Sequence, residues 1–342
     1  MEGFGYRAGK AQIAMGSDTH YVWDCAVIYA EGKYHMFSSH WKKEWGFGWN
    51  WVFNAQIIHC VSDTPEGPYK FHRVVLDRRG RQYFDGMNTH NTCIRYHDGK
   101  YYLYYMGTTY GGPIPKGEET SPEYNLEVWN RKRIGVAVAD SIYGEFVRQD
   151  KPLLEPRDCS HWDCTVTTNP AVAILPSGKT YMIYKSRRSA GATLQLGIAV
   201  AERPDGPFTR LSDDPVLQMD HPDMHVEDPF LWYDEKRKKF CVIAKDDSKN
   251  GHPGITGQWG NGFYAESDDC IHFTVPKDPM VYSRHVTWKD GTQTVQGNME
   301  RPWILFDEEQ NPKYLFCASG AGPNPYSFDG ATFIVVSELE KI

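Results

Sequence analysis

His225-Val-Glu-Asp-Pro-Phe-Leu-Trp-Tyr-Asp234 opens polar and acidic, passes through Pro229, and runs into an apolar aromatic strand that resumes at Lys239-Phe-Cys-Val-Ile-Ala244. Four other stretches repeat the plan. Asp24-Cys-Ala-Val-Ile-Tyr29 turns through Glu31-Gly-Lys33 into Tyr34-His-Met-Phe37, and Asn91-Thr-Cys-Ile-Arg-Tyr96 turns through Asp98-Gly-Lys100 into Tyr101-Tyr-Leu-Tyr-Tyr105. Asn169-Pro-Ala-Val-Ala-Ile174 leads through Ser177-Gly-Lys179 into Tyr181-Met-Ile-Tyr184, and Arg301-Pro-Trp-Ile-Leu-Phe306 through Asn311-Pro312 into Tyr314-Leu-Phe316. Each is a hairpin: two β-rich runs joined by Gly, Asn or Pro.

A second motif follows the hairpins: Ser62-Asp-Thr-Pro-Glu-Gly-Pro-Tyr69, Ala139-Asp-Ser-Ile-Tyr-Gly-Glu-Phe146, Ala201-Glu-Arg-Pro-Asp-Gly-Pro-Phe208 and Glu266-Ser-Asp-Asp-Cys-Ile-His-Phe273. Its last copy, Val336-Ser-Glu-Leu339, stops short at the C-terminus. Five units at a pitch of roughly 60 to 80 residues, each supplying about four strands, predict an all-β, five-bladed propeller of antiparallel blades. The fifth unit lacks its last strand, so part of residues 1–20 is expected to close that blade. The five units fill residues 1–342 as a single domain.

A net charge of −7 with no basic run argues against nucleic acid and anionic membrane as partners. No apolar segment approaches the ~20 residues needed to span a bilayer. Met1-Glu-Gly-Phe-Gly-Tyr6 lacks the basic-then-apolar pattern of a signal peptide, so a cytoplasmic address is expected, or a periplasmic or secreted one if a leader has been removed. The eight cysteines show no Cys-x-x-Cys spacing and are expected to be mostly buried free thiols. Four Trp within Trp41–Trp51 fit no strand or helix period; they are read as an end-face insertion able to stack on sugars or to pack as a minicore. The Gly- and Pro-rich stretch 108–130 reads as a surface loop.

The innermost strand of every propeller blade lines the central axis, and all start at the same end. Equivalent positions of the five repeats therefore converge on one funnel. Alignment of the hairpins puts Asp24, Asn91, Asn169, Asp228 and Arg301 in one ring, with Trp23, His90, Thr168, Glu227 and Glu300 one step earlier. Charged groups crowded on an axis lose solvation and repel unless they are paired or used, so this accumulation reads as a site.

The five-hairpin layout, Asp24 opening blade one and Glu227-Asp-Pro229 opening blade four resemble the five-bladed glycoside hydrolases of family 43 and its relatives, family 117 and, more distantly, families 32 and 68. The resemblance implies a hydrolase of oligo- or polysaccharides, exo-acting and inverting. Glu227 would be the general acid and Asp24 the general base. The family's third carboxylate, an orienting Asp, falls at Asn169-Pro170 here; this departure marks a divergent branch and leaves Asp163, six residues earlier, as its substitute. Trp23, His90, Asn91, Trp162, Asn169, His225, Glu300 and Arg301 are the expected substrate contacts, with Trp41, Trp45 and Trp49 as further sugar platforms. The chemistry needs no cofactor; relatives lead one to expect a Ca²⁺ or similar ion on the axis.

Glycoside cleavage needs one protonated carboxyl beside the leaving oxygen and one carboxylate across the sugar, about 6.5–9.5 Å away for inversion and about 5–5.5 Å for retention. Asp228 beside Glu227 would raise the acid by like charge, and Arg301 or a cation would hold Asp24 ionised. The alternatives are a retaining, fructosidase-like hydrolase with Asp24 as nucleophile, a phosphorylase using Arg301 and Lys245, or a sugar-binding propeller without turnover. The differences among the five openings favour one asymmetric catalytic site over a repeated lectin site.

Overall fold

The computed structural model describes residues 4–326, 328 and 330–342. Five four-stranded antiparallel sheets form the five blades. Their innermost strands are His20–Ala30, Asn88–His97, Thr168–Ile174, Val226–Asp234 and Asn298–Phe306. The two-residue turns Glu31-Gly32 and Asp98-Gly99 have positive φ throughout (47° and 78°, 45° and 76°), the conformation that matches the twist of a tight hairpin.

The fifth blade closes as the truncated last repeat requires. Tyr6–Gly16 pairs antiparallel with Thr332–Lys341 on the outer edge of that sheet, so both ends of the described chain lie in one blade. A small extra hairpin, His285–Thr287 with Gln293–Val295, links blades four and five.

The segment expected to be a loop at 108–130 carries a helix instead. Ser121 caps it by accepting from Tyr124 N (3.2 Å), Pro122 occupies its first turn, and it runs Pro122–Asn130. Its buried face, Val128 and Trp129, packs with Val52 and Phe53 of the short helix Asn50–Phe53 and with Met87, Tyr110 and Val166. The tryptophan-rich insertion thus contributes to a minicore, and its fixed rings form part of a wall over the axis. None of the helices is long and apolar enough to cross a membrane among the described residues.

One local device shapes the centre. Asp24, Asn91, Asn169, Asp228 and Arg301 all have left-handed φ (64°, 58°, 52°, 49° and 55°), each at a break in the pairing register of its inner strand. A bulge with a left-handed residue re-aims side chains out of the pleat, and Asn and Asp tolerate that conformation better than other non-glycine residues. The repeated acids and amides are therefore in part a backbone requirement. Arg301 is the exception, held there by its partners. At the other end of the axis Arg95 donates to the Val172 carbonyl (2.7 Å) and the Leu231 carbonyl (3.0 Å), leaving only about 20 Å³ between it and Arg301. The funnel is blind.

Candidate active site

The floor of the funnel is a charge network centred on Arg301. Its Nε donates to Asp24 Oδ1 (2.8 Å) and its Nη1 to Asp228 Oδ1 (3.0 Å). Asp24 also accepts from Ser39 Oγ and from the Asn91 backbone N–H (2.9 Å), and is 1% exposed. Asn169 Nδ2 donates to Asp228 Oδ1 (2.8 Å). Although burial opposes its charge, Arg301, Lys185 and Lys245 hold the Asp228 carboxyl well below the usual carboxylate range. Burial likewise opposes the Arg301 charge, and the two aspartates outweigh it, raising the guanidinium further. Among the described residues no three His, Cys, Asp or Glu side chains converge as a metal site. The donor set on the axis does not fit the expected divalent ion, because a guanidinium already stands between the two aspartates.

Above this floor lies a cavity of about 480 Å³. Trp23, His90, Asn91, Asn169, Glu300 and Arg301, all singled out from the repeats, line it together with Glu227 and Asp228. Glu227 Oε1 accepts from Lys185 Nζ (3.0 Å), and its other oxygen lies 3.7 Å from Lys245. The neighbours of this carboxyl are thus ammonium groups, not the Asp228 carboxylate, which is turned down to the floor. Glu300 Oε1 accepts from Lys245 (2.6 Å), Asn298 (2.7 Å) and Tyr326 (2.8 Å). The Asn91 amide satisfies its surroundings when its oxygen accepts from Arg301 (3.1 and 3.2 Å) and its nitrogen donates to His90 Nδ1 (2.9 Å). That arrangement makes His90 Nδ1 an acceptor and leaves the proton on Nε2. Burial lowers the His90 pKa, keeping the ring neutral.

A second cavity of about 280 Å³ adjoins the first. It is lined by Thr193, His225, Asp247 and Lys249, and it shares Glu227 and Leu194 with the main funnel. His225 belongs to this side cavity. Glu227 stands at the junction of the two.

Asp24 lies in the buried floor and does not itself line the cavity, and two further expected site residues lie elsewhere. Asp163 is wholly buried, paired to Arg157 (2.6 Å) and Arg210 (2.5 Å) and accepting from Tyr184 (2.7 Å), and does not reach the funnel wall. Asp85 does the same in blade two with Arg79 (2.7 Å), Arg148 (3.4 Å) and Tyr105 (2.6 Å). The two are copies of one structural bracket. Trp162 stacks on Tyr184 (6.1 Å) and donates to the Asp213 carbonyl (2.9 Å), also outside the funnel. Of the tryptophan platforms, Trp41 and Trp49 line the funnel and Trp45 does not; Lys42 lies over its ring instead.

Trp51, of the tryptophan cluster read as able to stack on sugars, also lines the funnel; sequence reasoning missed Trp129, Lys132 and Tyr326, which complete the walls. Trp129 and Lys132 lie at and beyond the end of a stretch read as a loop. The Ser121-Pro122 cap and the Val128-Trp129 pair were the available signals.

No protein-family model matches the chain, and no curated protein matches it by sequence. Solved structures do. A family 117 glycoside hydrolase of the marine bacterium Zobellia galactanivorans superposes with a TM-score of 0.67 at 17% identity, over 98% of this chain and 90% of that one. A family 43 β-xylosidase/α-arabinofuranosidase from a compost microbial metagenome gives 0.58 at 18% identity, over 98% of both. The family 32 β-fructofuranosidase of Bombyx mori gives 0.60 at 13% identity, over 99% of this chain and 63% of that one. At such identities the likeness shows the shared five-bladed fold.

Proposed function

We propose that this propeller is a glycosidase that removes residues from the end of an oligo- or polysaccharide with inversion. The observation that carries the proposal is the place of Glu227, the carboxyl shared by two adjoining cavities. A general acid must stand between the sugar being cleaved and its leaving group. The blind, aromatic-walled funnel would hold the terminal sugar and the side cavity the remainder of the chain. The fold likeness to glycoside hydrolases of families 117, 43 and 32 supports the same assignment.

Asp24 is proposed as the carboxylate that activates water. Three of its roughly four acceptor positions are taken by Arg301, Ser39 and Asn91. Its burial favours one competitor, Glu300, which lines the funnel and has all its hydrogen bonds on Oε1. Binding without turnover is supported by the Lys185–Glu227 ion pair, which occupies Oε1 of the proposed acid.

Release of reducing sugar from an oligosaccharide and aryl-glycoside panel tests these assignments, with Glu227→Gln, Asp24→Asn and Glu300→Gln beside the parent. Loss in Glu227→Gln and Asp24→Asn supports the acid and base named here. Loss in Glu300→Gln with Asp24→Asn active moves the base to Glu300. No turnover by the parent, with sugars bound, makes the protein a carbohydrate-binding propeller.

A further inference from the structure

Two cations that line the funnel, Lys185 and Arg301, and one buried beside it, Lys245, are matched by acids. Lys185 is paired with Glu227, Lys245 with Glu300, and Arg301 with Asp24 and Asp228. Lys132 is the fourth. It is 1% exposed and lines the same cavity, yet among the described residues it makes no ion pair. Its ammonium lies over the rings of Trp51 (4.1 Å) and Trp129 (4.2 Å). Cation–π contacts of this kind offset only part of the cost of taking an ion out of water. Burial therefore depresses the Lys132 pKa well below the ordinary lysine range, and Lys185 and Arg187 press the same way.

Two more donors on this wall lack acceptors. His90 Nε2 and Trp41 Nε1 are both buried and unpartnered, and both residues line the cavity. The His90 ring lies 5.9 Å from the Trp41 ring and 5.7 Å from that of Trp51, which in turn carries Lys132. The Lys132 head group and two N–H groups on one wall form a set with no acceptor of its own. A sugar hydroxyl could satisfy each N–H singly, but it would supply no counter-charge to hold Lys132 protonated against its burial and its cationic neighbours. An oxyanion on this wall would supply both an acceptor and the counter-charge that favours the ammonium form of Lys132.

We propose that Lys132, His90 and Trp41 form a subsite for an oxyanion substituent of the sugar, a carboxylate or a sulfate ester, so that the substrate is an acidic glycan, an inference that rests on the glycosidase assignment above. The substituent would lie against the Trp41–Trp51 wall, on the sugar seated above Arg301.

Binding is read from tryptophan fluorescence and from calorimetry, using methyl glucuronoside, methyl galacturonoside and galactose 6-sulfate beside their neutral parents, methyl glucoside, methyl galactoside and galactose. Turnover is read with the matching aryl uronosides, sulfated aryl glycosides and neutral aryl glycosides. At least one acidic member is expected to bind about tenfold or more tighter than its neutral parent, the scale of one charge-assisted contact. Whether uronates or sulfated sugars are preferred identifies the oxyanion. Lys132→Met is expected to abolish the difference between acidic and neutral sugars, and Lys132→Arg to restore part of it. Equal binding of acidic and neutral sugars by the parent overturns the proposal without recourse to any variant. So does an acid preference that survives Lys132→Met. Turnover confined to neutral glycosides overturns this subsite and leaves the glycosidase assignment standing. Binding of acidic sugars without turnover does the reverse, and binding of neither class contradicts both.

Discussion

Arg301 Nε lies 2.8 Å from Asp24 Oδ1, and the two residues, from the first and last inner strands, both adopt left-handed backbone at a bulge. The pair ties blade five to blade one across the axis, and the same guanidinium reaches Asp228 of blade four. Breaking a buried pair by removing one partner typically costs about 3–5 kcal/mol, because the other charge is left unpaired. Arg301→Met would strand two aspartates at once. It is expected to lower stability by at least that amount, read from the urea midpoint. Arg301→Lys should recover only part, since an ammonium cannot reproduce the fork that meets both carboxylates. An unchanged midpoint in Arg301→Met would show that the network contributes nothing to closure.

Asp163 and Asp85 are expected to behave as twins. Each is wholly buried and joins two arginines and a tyrosine hydroxyl within one blade. Asp163→Asn and Asp85→Asn should each cost about 3–5 kcal/mol of stability. Turnover per folded molecule should stay at the parent's level in both. A fall in kcat confined to Asp163→Asn, with its pH profile displaced, would return Asp163 to the role of orienting carboxylate.

Stability should decline as the solution is made acid. His59 is buried between Phe37 (4.7 Å between rings) and His35, and burial, reinforced by His35, His72 and Arg73, lowers its pKa to about 3. His40 is lowered to about 4, chiefly by burial. In the unfolded chain both titrate near 6.5, so below that pH the unfolded state binds more protons and stability falls with falling pH. The contribution is fully present above about pH 6.5 and is lost progressively toward the folded values, on the order of a few kcal/mol for His59. Urea midpoints between pH 7 and pH 4 measure the slope. His59→Gln, which keeps a partner for His35, should flatten it; an identical slope in that variant would remove His59 from the account.

The blades and their closure were legible because hairpin periodicity and turn residues repeat openly along the chain. The ring at the axis was legible for the same reason, although its acids and amides serve the bulge backbone as well as any chemistry. Asp163 misled because its spacing was measured to Asn169 alone. Asp85 stands the same six residues before Asn91, and that coincidence marks a structural repeat. Lys132 was invisible for another reason. Nothing in Arg131-Lys132-Arg133 distinguishes a buried lysine from its flanking arginines until the helix before it turns Trp129 over the funnel. The lysines beside Glu227 come from second strands, Thr180–Ser186 and Lys239–Asp246, whose register with the inner strands only the pairing reveals.

The proposed role of Glu227 as proton donor to the leaving group is tested most directly by comparing Glu227→Gln with the parent on two glycosides of one sugar. One has a sluggish leaving group, a second sugar or methylphenol; the other has dinitrophenol, which departs without a proton. If Glu227 is the acid, the variant loses about 10²–10⁴-fold on the first substrate and stays near the parent rate on the second. Equal loss on both, or no loss on either, would contradict the account.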